Sequence, residues 1–375
     1  MPFLLEVHPG FARLLEGGGR TVAPEVPRSA RDELRAFCNE QELTGLLHHR
    51  LVEAGCREWP ESWWESLCQE THAQAAAELL RASEIRSVLG ALAAAGINPI
   101  LFKGTALAYS IYPSPICRPR NDTDVLIAPD QVDEVRRVLA SLGYAMAVHC
   151  ADLFSQFEMQ RVDRFGVLHV FDVHWKISTQ PVFENLLTYD ELASRPQPLP
   201  GLGPHARAAG PVDALLIACI HPVMHHRNVE RALWIYDVHL LASALSSRGI
   251  DDCADRAAAA DVCAVVAHAL RRARSVFGTP VRDVVLARLD AAGREPSAEY
   301  LASERRWHHE VISSVRALPT FGQRAAFMRE VLFPSPRYVL GAYGLRGKPL
   351  GTWLLPALYA HRNVRGAWKV LTRKK

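Results

Sequence analysis

Asp122 and Asp124, separated only by Thr123 ahead of Val125-Leu126-Ile127, are the side chains best placed by type and spacing to do chemistry. The apolar run reads as a strand. Alternate side chains on a strand share a face, so the two carboxylates point the same way about 7 Å apart. Two such charges repel unless a cation sits between them. Oxygen-only pairs of this kind suit Mg²⁺, which combines carboxylates with substrate phosphates rather than a closed protein cage. A third acid, Asp172, stands in Leu168-His169-Val170-Phe171-Asp172-Val173-His174-Trp175, a run apolar enough for a central strand. An Asp there is costly to bury without a partner. If the two strands lie side by side, three carboxylates converge, the arrangement that holds two divalent ions for in-line displacement at phosphorus. His174 shares the face of Asp172 and could orient that carboxylate, contact an acceptor or pack in the core.

These acids need elements to position them. Residues 97–102 are expected as a buried strand, broken by Lys103-Gly104-Thr105 and followed by a helix over 105–112. A turn with Arg118 and Arg120 on either side of Pro119 then leads into the strand of Asp122 and Asp124. Pro129 and Asp130 open a helix that Leu142-Gly143 closes, and further strands are expected near 144–149 and 167–175. Strands alternating with short helices point to a mixed α/β unit. On its N-terminal side, residues 1–28 read as a loose lead-in. Ser29 is the expected N-cap for apolar residues at helical spacing across 30–55. A long Ala-rich helix over 61–95 follows, closed by Gly96 at C′. Helical patterning returns over 213–226, 230–247 and 251–277, and the tail from 334 places prolines and glycines between short aromatic segments. The expected fold class is α+β, a mixed-sheet core over 97–200 between an N-terminal helical region, 1–96, and a C-terminal helical region, 201–375.

The 375 residues are 49% hydrophobic and 22% charged, ordinary for a soluble globular chain. A net charge of +3 gives no global field that would favour nucleic acid. The distribution is less even. No acid follows Glu330, whereas Arg337, Arg346, Lys348, Arg362, Arg365, Lys369, Arg373, Lys374 and Lys375 do. That basic tail is a candidate face for RNA, a nucleotide-bearing acceptor or acidic lipid. Eight cysteines without a CxxC pair fit reduced thiols. No secretory leader pattern and no run of about 18 apolar residues is present, so a cytoplasmic protein without a membrane span is expected. His221 and His225 have the i, i+4 spacing that can chelate zinc, but the glutamate of an HExxH motif is missing.

Taken together, Lys103-Gly104, Leu107, Tyr112, Arg118, Asp122, Asp124 and Leu126 resemble the pattern of the bacterial family of uncharacterised nucleotidyltransferases, within the DNA polymerase β-type superfamily. Asp172-Val173-His174-Trp175, His221 and Trp234-Ile235-Tyr236-Asp237 match its later elements. The resemblance implies a polymerase β-type core and an enzyme dependent on Mg²⁺ or Mn²⁺. It would move a nucleoside monophosphate from a nucleoside triphosphate to a hydroxyl acceptor (small molecule, peptide, protein or RNA) and release pyrophosphate. On that reading Asp122, Asp124 and Asp172 ligate metal, with Asp172 as base toward the acceptor in the alternative. Gly104 lets the backbone approach the phosphates, and Thr105 stands where the superfamily has serine. Lys103 and Arg118 neutralise triphosphate charge, as a point charge and a fork respectively. His174, His221 and Asp237 contact the acceptor or support the site. Two departures are the long gap from Gly104 to Asp122 and the threonine at 105. A toxin-like transferase acting on tRNA, a γ-phosphate phosphotransferase and a catalytically silent nucleotide-binding module are the alternatives.

Overall fold

The computed structural model describes residues 9–17, 30–55, 61–147, 155–178, 180, 182–183, 186–292, 295–302, 307–318, 320–345 and 348–372. The chain begins with α1 (Pro9–Glu16), α2 (Arg31–Glu40), α3 (Thr44–Glu53) and the long α4 (Glu61–Ala94). The sheet region follows as β1 (Ile100–Leu101), α5 (Lys103–Ser110), β2 (Thr123–Leu126), α6 (Val132–Ser141), β3 (Ala145–Met146), β4 (Gln156–Val162), β5 (Leu168–His174), α7 (Tyr189–Ser194), β6 (Gln197–Pro198) and β7 (Arg207–Ala208). Helices α8 (Pro211–His225), α9 (Ala232–Ala244), α10 (Ser247–Ala259), α11 (Cys263–Phe277) and α12 (Asp283–Asp290) come next. The chain ends with α13 (Trp307–Ala317), α14 (Phe321–Leu332), α15 (Pro336–Ala342) and α16 (Pro349–Thr372). No helix among the described residues is long and apolar enough to cross a membrane.

The fold is α+β around one mixed seven-stranded sheet in the order β3-β4-β5-β2-β1-β7-β6. Strand β2 runs parallel to β5 and antiparallel to β1. Alternation sorts the two faces. Leu101, Val125, Ile127, Phe171 and Val173 pack against Ile85, Val88, Leu89 and Leu92 of α4, which recur at helical spacing. Ile100, Phe102 and Leu126 turn the other way, into a core shared with Leu46 of α3, Leu216 of α8 and Tyr236 of α9. Full burial of each such side chain is worth about 1.5–3 kcal/mol. Asp124 lies between Val125 and Thr123 in sequence, so it shares the face of Leu126. Asp172, between Phe171 and Val173, does the same. The acids therefore look toward the helices after the sheet, not toward α4.

Helix α4 ends where Gly96 enters the left-handed region, φ +76°, and Ile97 N–H donates back to Leu92 O at 2.9 Å. Elsewhere the chain departs from its patterning. The 30–55 helix is two, α2 and α3, split at Glu42, φ +61°, and the 251–277 helix breaks at Asp261, φ +54°. Apolar periodicity continues across both breaks, so it does not register them. Residues 97–102 form only a two-residue strand, and the helix begins at Lys103 rather than beyond the Lys-Gly-Thr break. Strand β4 was not anticipated, although buried Phe157 and Met159 alternate with less buried Glu158 and Gln160. The lead-in contains α1, whose Leu14 and Leu15 are buried. The tail forms the 24-residue α16, which continues through Pro356. Ser29 lies outside the described residues.

Candidate active site

The register of β2 on β5 sets the site. Asp124 pairs with Asp172 and Leu126 with His174, so both acids and the imidazole share one face at the sheet's centre. His174 Nε2 lies 3.2 Å from Asp124 Oδ1 and 3.0 Å from Asp172 Oδ2, which ties the two carboxylates together. The edge of the Phe102 ring against His174, centroids 5.1 Å apart, holds the imidazole plane. Asp122 precedes β2, is exposed, and lines a small hollow with Arg81 and Ile85 of α4.

Lys103 enters from the β1–α5 junction with φ +54°, a left-handed conformation that a non-glycine residue adopts at a cost of about 1–3 kcal/mol. That turn aims Nζ at Asp124 Oδ1, 2.7 Å away, with the lysine side chain only 11% exposed. The lysine charge and the His174 contact outweigh burial and hold Asp124 well below the usual carboxylate range. His174 is raised: burial and the Lys103 charge oppose its proton, but its bonds to Asp124 and Asp172 prevail. Asp122 is pushed up to about 7, by the like charge of Asp124 first and reduced hydration second, with Lys103 opposing. Because Asp122 reaches solvent, repulsion is the cause that carries weight there.

The neighbouring turn is braced. Thr105, fully buried, donates its hydroxyl to Asp122 O at 3.3 Å and so fixes the start of β2. Arg118 is buried, and its Nε and Nη2 donate to Asp237 Oδ1 and Oδ2 at 3.1 and 2.8 Å. Its Nη1 donates to Pro119 O at 3.0 Å, and Tyr112 Oη donates to Asp237 Oδ1 at 2.7 Å. Burial works against the Arg118 charge, yet Asp237 raises its pKa overall. A Cβ on Gly104 would stand 3.2 Å from Arg118 Nη1, a tight approach that a few tenths of an ångström of arginine movement would relieve. The resemblance implied triphosphate contacts for Gly104, Thr105 and Arg118; in the structure these residues pack the turn, with the arginine fork on Asp237. Lys103, Arg118, Asp237 and His221 line one apolar pocket beside the acids, with Phe102 and Trp234. His221 sits there in a ring cluster, 5.3 Å from Trp234 and 4.8 Å from His226 by centroids. Sequence reading missed the parallel network in which Arg120 Nη2 and Tyr109 Oη both donate to Glu78 Oε1 at 2.7 and 2.5 Å. Only an acid on the sheet-facing side of α4 signalled it.

Ligand atoms of Asp124, Asp172 and His174 all lie within 4.8 Å of one another, so this group could hold a metal ion. Asp172 Oδ1 is buried with no hydrogen-bond partner, a lone pair aimed at nothing the protein supplies. Hard carboxylate oxygens suit Mg²⁺ or Mn²⁺. The residues fit a divalent ion.

A family model described as "Uncharacterised nucleotidyltransferase" matches residues 28–278. The chain belongs to that family. It is a transferase enzyme, and nucleotidyltransferases as a class use divalent metals and nucleoside triphosphates. No curated protein matches the chain.

Proposed function

We propose that the protein transfers a nucleoside monophosphate from a nucleoside triphosphate to a hydroxyl acceptor, with Mg²⁺ or Mn²⁺ held by Asp122, Asp124 and Asp172. The pairing of Asp124 with Asp172 across β2 and β5, with a buried Asp172 oxygen that has no hydrogen-bond partner and with Lys103 on Asp124, carries this reading. A divalent ion bound there supplies Lewis-acid stabilisation of phosphoryl charge.

The chain's own residues do the rest. Lys103 brings a compact cation to the polyphosphate end of the site, and its strained backbone keeps it there. His174 fixes the orientation of both carboxylates and is a positioning residue. Asp172 takes the proton of the acceptor hydroxyl as the new O–P bond forms at the α-phosphorus. The bond from that phosphorus to its bridging oxygen breaks, and pyrophosphate leaves with the bond's electron pair.

Incubation with each nucleoside triphosphate, Mg²⁺ and acceptor pools should release pyrophosphate and add a nucleoside monophosphate to the product mass. Asp172→Asn should abolish both. Addition of a bare phosphate would assign γ-phosphate transfer instead, and turnover unchanged in Asp172→Asn would overturn the site.

A further inference from the structure

We propose that the exposed face of α16 is a docking surface for an anionic lipid membrane. Trp353, Ala357, Ala360, Val364 and Ala367 recur at 4-3-4-3 spacing, which puts them on one face of the helix. All five are exposed, Trp353 at 86% and Val364 at 68%, and Trp368 beside them is 66% exposed. The opposite side is fastened to the body. Arg362 Nη1 donates to Val331 O at 2.8 Å, Asn363 Nδ2 to Leu332 O at 3.0 Å, and Tyr359 Oη to Pro334 O. The apolar stripe therefore faces outward on a helix that is already held.

Charge selects the occupant. Exposed Arg365 flanks the stripe, Lys369 and Arg373-Lys374-Lys375 follow in sequence, and no acid occurs after Glu330. A second copy would bring an equally basic, acid-free helix against this one, and like charges oppose that pairing. RNA would meet the basic flank, but between Trp353 and Trp368 the stripe is Ala357, Ala360, Val364 and Ala367, which offer phosphates no donor and bases no ring to stack on. The boundary of an anionic bilayer accepts both halves: tryptophan and aliphatic groups at the headgroup level, and basic side chains on acidic headgroups. The helix is too polar to span a membrane and so lies on it. It also lies outside the residues that match the family model, so the inference does not rest on the transfer chemistry.

The test is co-sedimentation of the full chain with vesicles of phosphatidylcholine alone and of phosphatidylcholine mixed with phosphatidylglycerol. The protein should pellet with the mixed vesicles only, and molar salt should release it. Val364→Glu should lower the partition at least tenfold, and Arg365→Gln about fivefold, the weight of one basic residue near an anionic surface. Both positions are exposed, so the melting midpoint should be unchanged; Trp353→Ala is a further variant that removes stripe area without adding charge. Failure to bind mixed vesicles would overturn the proposal, as would binding indifferent to Val364→Glu. So would finding that these substitutions disrupt a dimer in ultracentrifugation, or binding to RNA, while vesicles are ignored.

Discussion

Replacing Asp237 with asparagine tests whether Arg118 is a structural brace or a group free to meet a substrate. The two side chains are 8% and 5% exposed and joined by a two-bond fork, with Tyr112 donating to the same carboxylate. Breaking a buried pair by removing one partner costs about 3–5 kcal/mol, because the other charge stays buried without compensation. Asparagine keeps the volume and one acceptor oxygen, so about 2–4 kcal/mol is expected, with a melting midpoint lower by about 2–5 °C. Arg118→Lys keeps the charge but loses the planar fork and should cost a similar amount. The double replacement Arg118→Met/Asp237→Leu removes both charges and should cost less than Arg118→Met and Asp237→Leu added together, and these three variants with wild type should give a coupling energy above about 2 kcal/mol. Urea denaturation of the four proteins measures the cycle. At a temperature where all remain folded, triphosphate affinity should change less than about threefold between wild type and Asp237→Asn. A loss of stability below about 0.5 kcal/mol, or a triphosphate affinity that collapses in a folded Asp237→Asn protein, would refute the brace.

Other outcomes follow from the same structure. His174→Phe, which fills the space but cannot bond Asp124 or Asp172, should weaken Mn²⁺ binding about 10- to 100-fold in a spectroscopic titration, and His174→Gln should restore much of it. Gly45→Ala should cost about 1–3 kcal/mol in urea unfolding, since a Cβ there would lie 2.2 Å from Ile116 O, in the turn that leads to Arg118. Burial holds His239 down at about 4. The folded state thus binds fewer protons than the unfolded one, and this contribution is complete above about pH 6.5 and lost as pH falls toward 4. Discounted for partial exposure, the loss is about 1–2 kcal/mol, and it should vanish from the difference between wild type and His239→Gln.

What the sequence determined follows from local rules. Alternation in the run from Thr123 to Ile127 put Asp124 on the face of Leu126, and the same rule aligned Asp172 with His174. Helical periodicity marked α4, and Gly96 marked its end. Lys103-Gly104 and the Asp-x-Asp pair carried the family. Tertiary structure decided the remainder. Register is a non-local property, and only the parallel pairing of β2 with β5 made Asp124 and Asp172 neighbours. The partner of Arg118 lies 119 residues away on α9, so no spacing could announce that its fork belongs to Asp237. The helix breaks at Glu42 and Asp261 escaped because an apolar stripe records which face is buried, not where the backbone turns left-handed. The tail shows the same division. Composition revealed its basic charge, but only packing of one side of α16 against the body determined that a tryptophan-bearing stripe points outward.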